Sequence, residues 1–94
     1  MLQIDFTQRA EKEFGKLTEK LQKKVFAQLK NFTEQGLPYK HAKKIQGKEI
    51  GYRLRVGRWR VLFALFSNEQ RVEVVDIFLK KSDSDYEKRK NLLD

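Results

Sequence analysis

The sequence predicts an α+β domain. An N-terminal strand and a helical hairpin pack on a mainly antiparallel sheet, and a short C-terminal helix closes the chain. Three observations lead to this fold class. Apolar residues alternate at period two at the start of the chain and across most of its second half. Between those regions they recur at the three-and-four spacing of helices. The gaps between the later strands are too short for the crossover a parallel return needs, so those strands pair as hairpins. Ninety-four residues make one domain, 1–94, with no repeat, linker or low-complexity segment dividing it.

The elements follow in order. Leu2, Ile4 and Phe6 alternate with Gln3 and Asp5, the pattern of a half-buried strand. Thr7 supplies an N-cap to a helix starting at Gln8, in which Ala10, Phe14 and Leu17 share a face. Thr18 caps a second helix. Its Leu21, Val25, Leu29 and Phe32 form an apolar stripe, while Lys20, Lys23, Lys24 and Lys30 face elsewhere. Gly36 and Pro38 end it. From His41 to Gly47 the pattern is weak and basic and suits either a short strand or a loop. Strands are expected at Ile50–Val56, Arg58–Phe66 and Arg71–Leu79, separated by Gly57 and by Ser67-Asn68-Glu69-Gln70. The middle one is apolar on both faces from Val61 onward and belongs at the centre of the sheet. Ser82-Asp83-Ser84-Asp85 offers N-caps for a last helix, Asp83 to Leu93, with Lys88, Arg89 and Lys90 toward its C-terminal end.

Composition narrows the function classes. A hydrophobic fraction of 39%, including seven Phe, three Tyr and one Trp, supports a real core and argues against disorder despite 36% charged residues. The absence of Cys excludes disulfides, thiol nucleophiles and cysteine-based metal sites. No apolar run approaches the roughly 20 residues of a transmembrane helix, and the N-terminus lacks the pattern of a signal peptide. A cytoplasmic protein with no membrane partner is therefore expected. Lys and Arg exceed Asp and Glu by 21 − 13 = 8. That charge favours nucleic acid, an acidic protein or an anionic surface as partner, or simply a solvated basic exterior.

The position of the arginines gives the charge a direction. On the strand Ile50–Val56, Arg53 and Arg55 share the face opposite Tyr52, Leu54 and Val56. On the next strand Arg58 and Arg60 share the face opposite Trp59, Val61 and Phe63. A hairpin at Gly57 would bring these two rows side by side. Like charges repel across strands, so such a patch suggests an anion to receive it. Arginine makes planar, bidentate phosphate contacts and keeps its charge. The bland alternative is a solvated sheet face, or an edge guarded by charge. Arg60 leads into Leu62 and Ala64 on its own face and should sit deeper than the others. His41 is the only histidine, phosphate-loop glycine motifs are absent, and no serine nucleophile has a credible base. Lys80 and Lys81 follow the last strand, and Tyr86 falls in the first turn of the last helix, where it could equally pack as a core residue.

Together these residues resemble the RelE/ParE toxin superfamily. The specific part is the run Tyr52-Arg53-Leu54-Arg55-Val56-Gly57-Arg58-Trp59-Arg60-Val61-Leu62-Phe63, preceded by Lys44-Ile45-Gln46-Gly47 and followed by a strand, basic residues and Tyr86. The resemblance spans nearly the whole chain. It implies a microbial-RNase-like fold and, for the RelE-type branch, a toxin of a type II toxin–antitoxin system. Such a toxin cuts mRNA on the ribosome and is neutralised by a cognate antitoxin. The implied reaction is attack of a ribose 2′-OH on the adjacent phosphate, with no metal or cofactor. Carried over by position, Arg55, Arg60, Lys81 and Tyr86 are the implied catalytic residues, and Arg53, Arg58 and Lys80 the implied substrate contacts. The tail spacing is about one residue shorter than the family pattern, so Lys80 and Lys81 compete for one role. Asp76, after apolar Val74 and Val75, could satisfy an arginine in the sheet or end antitoxin contacts. Two further readings stay open. One is a ParE-like inhibitor of DNA gyrase without nuclease chemistry. The other is a basic nucleic-acid-binding domain, which would tolerate Tyr86→Phe.

Overall fold

The computed structural model describes residues 3–36, 39–47 and 50–80. The chain runs β1 (Gln3–Phe6), α1 (Gln8–Gly15), α2 (Glu19–Gln35), β2 (Ala42–Lys44), β3 (Gly51–Val56), β4 (Trp59–Phe66), a 3-10 turn at Ser67–Glu69, and β5 (Arg71–Leu79). The five strands form one sheet in the order β1-β5-β4-β3-β2. All neighbours pair antiparallel except β1 and β5, which run parallel with Phe6 opposite Val74. The mainly antiparallel α+β fold is thus the expected one, and β4 is central. The expected C-terminal helix, Asp83 to Leu93, lies outside the described residues.

The two threonines cap as their positions imply. Thr7 is extended, with φ −67° and ψ 162°, and its Oγ1 accepts from Ala10 N at 3.2 Å. The same hydroxyl donates to the Val75 carbonyl at 3.3 Å, and the Thr7 amide donates to the Val74 carbonyl at 3.0 Å. This one residue therefore starts α1 and ties it to β5. Thr7→Ala should cost about 1–2 kcal/mol, measured as a shifted denaturant midpoint with unchanged slope. Thr18 caps α2 through Leu21 N at 3.2 Å. Gly36, at φ 69°, ends α2 in a backbone conformation that side chains other than glycine rarely adopt.

The helices cover one face of the sheet. Ala10, Leu17, Val25, Leu29 and Phe32 pack there against Leu54, Val56, Val61, Phe63, Val72, Val74 and Ile77. A smaller cluster, Ile45, Leu62, Val75 and Phe78, lies on the other face. Phe6, Phe14 and Phe26 form a third aromatic group, with ring centroids 4.9–6.0 Å apart.

The register of β5 changes partway along. Phe63 pairs with Val74 but Leu62 pairs with Asp76, so Val75 is an extra residue. The bulge reverses the alternation: Val72 and Val74 point toward the helices, and so does Ile77. Without it Asp76 would join the helix-side core. Instead it sits across from Leu62, 1% exposed, and accepts from Arg9 Nε at 3.2 Å and from Ile77 N at 2.9 Å. Asp76 does satisfy an arginine, but one from α1 rather than from the sheet.

Candidate functional site

β2, β3 and β4 lie side by side, and their register brings the basic residues together. Arg55 pairs directly with Arg60, and Lys43 pairs with Arg53. Arg53 in turn sits opposite Leu62, whose side chain belongs to the cluster away from the helices. Side chains of directly opposed residues share a face, with Cβ atoms about 4.5–5.5 Å apart. Lys43, Arg53, Arg55 and Arg60 therefore occupy the open face, the one the helices leave uncovered. Arg60 also lies beside Phe78, its partner on β5.

Arg58 does not belong to this group. Val56 pairs with Trp59, which leaves Gly57 and Arg58 as a two-residue loop. Gly57 has φ 62°, the left-handed conformation that primed hairpin turns need at their first position. β4 therefore begins at Trp59, and the expected strand position of Arg58 is wrong by one residue. Its side chain is exposed on the turn and is not in line with Arg60. The hairpin supplies the patch with three arginines, and Lys43 brings a fourth cation.

The arginines differ in setting. Arg55 is exposed, whereas Arg53 and Arg60 are half-buried. Burial, followed by the neighbouring charges of Arg53 and Arg55, lowers the pKa of Arg60 from its ordinary value. Arginine starts high enough to remain charged near neutral pH. Arg60 Nη1 donates to the carbonyls of Gly57 and Trp59, each at 2.9 Å. This holds the guanidinium over the hairpin end and leaves its Nε and Nη2 protons for an anion. Among the described residues, no carboxylate forms an ion pair with Lys43, Arg55 or Arg60.

The end of β5 meets the same hairpin end. Lys80 is half-buried, and its amide donates to the Arg58 carbonyl at 3.0 Å. The described chain thus leaves the sheet beside the turn that Arg60 clamps. Lys81 and Tyr86 lie outside the described residues. His41 is half-buried at the far edge, and its carbonyl accepts from Arg55 N at 2.6 Å. Among the described residues, no three His, Cys, Asp or Glu side chains gather where they could hold a metal ion. No helix among them is long and apolar enough to cross a membrane. A cavity of about 900 Å³ lies on the helix side, against Phe26, Phe32, Tyr52 and Leu65, remote from the arginine face.

The family described as ParE toxin of type II toxin-antitoxin system, parDE, matches residues 4–83. The chain belongs to this family. The toxin shares its fold with solved RelE structures. The isolated E. coli RelE toxin is 21% identical, aligned over 99% of this chain and 100% of its own, with a TM-score of 0.71. A chain of the intact E. coli RelBE toxin-antitoxin complex is 19% identical over 87% of this toxin and 100% of its own, at 0.70. A chain of the RelB-RelE antitoxin-toxin complex from Methanococcus jannaschii is 21% identical, with 87% and 96% coverage, at 0.65. No curated protein matches the chain. Lys43 is the residue of the toxin's basic face that sequence reasoning missed. Its signal was the basic character of His41–Gly47, in a strand too short to show periodicity.

Proposed function

We propose that this toxin is a ribosome-dependent mRNA endonuclease, a metal-independent RNase that cleaves by 2′-OH attack and so inhibits translation. The observation that carries this reading is the convergence of Arg53, Arg55 and Arg60 on one open sheet face beside the end of β5. The 2′-oxygen attacks phosphorus, a P–O2′ bond forms, and the P–O5′ bond breaks to leave a 2′,3′-cyclic phosphate. Negative charge grows on the non-bridging oxygens as this happens. Arg55 and Arg60 meet that charge with fixed donors, which stabilise the transition state more than the ground state. Arg53 and Lys80 hold the flanking backbone. Arg58, on the turn, is at most a peripheral contact. Lys81 protonates the departing 5′-oxygen, and Tyr86 orients the nucleotide or relays the 2′-OH proton to solvent water. The ribosome supplies part of the in-line geometry.

The partners in this reading are the ribosome, mRNA and a cognate antitoxin. Solved relatives are named as complexes of RelE with RelB, which supports a protein antitoxin here too. A second reading is favoured by one observation. The matching family is that of ParE, so inhibition of DNA gyrase without nuclease chemistry stands as the alternative.

Translation in a purified system, with the mRNA read by primer extension, tests the proposal. Cuts should appear only on ribosome-bound message and vanish when the cleaved nucleotide lacks its 2′-OH. Intact mRNA together with trapped gyrase–DNA complexes would favour the ParE-type target.

A further inference from the structure

The basic face is wider than one phosphate needs, and its register gives it two rows. Arg55 and Arg60 form the first, across β3 and β4. Lys43 and Arg53 form the second, across β2 and β3. Two residues along β3 separate the rows, about 6.6 Å at the rise of a strand. That spacing is of the order of the distance between successive phosphates in an extended single strand.

We propose that Lys43 and Arg53 form a second phosphate subsite, which holds the phosphodiester next to the one at Arg55 and Arg60. The ligand class is single-stranded RNA, its backbone running along β3. The inference rests on the reading of the open face as an RNA site, and it adds a direction and a new residue to that reading. Two like charges directly opposite one another weaken a sheet. An exposed lysine on an edge strand can also serve only to discourage edge-to-edge association. That role needs no charge at its neighbour. Here Lys43 is set against the half-buried Arg53, and no described carboxylate forms an ion pair with Lys43. An anion held at this pair gives the exposed Lys43 the counter-charge that no described carboxylate supplies.

The test uses the full chain and uncleavable 2′-O-methyl oligonucleotides carrying one or two phosphodiesters, titrated by NMR over a range of salt. Wild type should bind the two-phosphate oligomer more tightly. Lys43→Gln should abolish that gain, leave the one-phosphate oligomer unaffected, and reduce the salt slope by about 0.7. Lys43→Arg should restore it. A methylphosphonate at the second position should make wild type behave like Lys43→Gln. Lys43→Gln with an unchanged slope, or an equal loss on both oligomers, would overturn the subsite, and aggregation of that variant with unchanged binding would identify an edge guard. Arg55→Ala and Arg60→Ala separate the two levels. If neither weakens binding of either oligomer, the reading of the face itself fails, and the subsite with it.

Discussion

On the proposed mechanism, Arg60→Ala should lower ribosome-dependent cleavage by about 10²–10³-fold, the usual loss when one transition-state donor is removed. Arg58→Ala should leave cleavage within a few-fold of wild type. The two residues are two positions apart, carry the same charge, and would be equivalent on a uniformly basic surface. The structure separates them. Arg60 is half-buried and faces Arg55 across the hairpin, and burial, followed by the charges of Arg53 and Arg55, lowers its pKa. Arg58 projects from the turn. Because Arg60 also donates to the Gly57 and Trp59 carbonyls, its loss loosens the hairpin. Arg60→Lys answers this objection. It keeps a charge but lacks the planar fork, so it should recover little activity if bidentate contact with the phosphorane matters. Melting curves of both variants would show whether stability falls in parallel. A loss confined to kcat would point to an interaction made in the transition state, and a loss confined to KM to ordinary binding. Equal defects for Arg58→Ala and Arg60→Ala would remove the case for a positioned site.

The order of elements was legible in the sequence because each has a local cause. Thr7 and Thr18 are caps, the stripe from Leu21 to Phe32 has helical spacing, and Gly57 permits a tight turn. The parallel pairing of β1 with β5 had no such cause. It joins residues almost seventy positions apart, and nothing in Leu2–Phe6 names its partner. The placement of Asp76 was hidden for a related reason. Alternation from Val72 and Val74 assigns it to the helix side, and only the bulge at Val75 sets it across from Leu62. The candidate site was half legible. Arg53, Arg55 and Arg60 follow from period two within long strands. Arg58 was misplaced because period two continues blindly through a two-residue loop. Lys43 was missed because three residues of β2 are too few to show a period, and its relevance comes only from its pairing with Arg53.

Phe63→Ala should be the most damaging single truncation in the core, at about 3–5 kcal/mol. A chain of this length has roughly 5–14 kcal/mol of stability to lose. Phe63 is 0% exposed near the middle of the central strand. Its ring lies 5.4 Å from that of Phe32 on α2 and 5.7 Å from that of Tyr52 on β3, so it joins the helical layer to the sheet at one point. Leu54, Val61 and Val74, in the same core cluster, are themselves buried and held in strands. Denaturant unfolding should show a large fall in midpoint, and heating a fall of about 4–8 °C for each kcal/mol. Phe63→Leu should cost well under half as much, because most of the volume remains. Phe26→Ala is the contrasting case. That ring is 41% exposed and belongs to the outer aromatic group, so its removal should cost far less. The comparison also bears on the site, because Arg60 lies on the same strand as Phe63. If Phe63→Ala still folds at low temperature, its cleavage should fall further than its folded fraction does. The helical layer would then no longer fix β4, and Arg60 on the strand's open side would lose the geometry that the proposed phosphate contact requires.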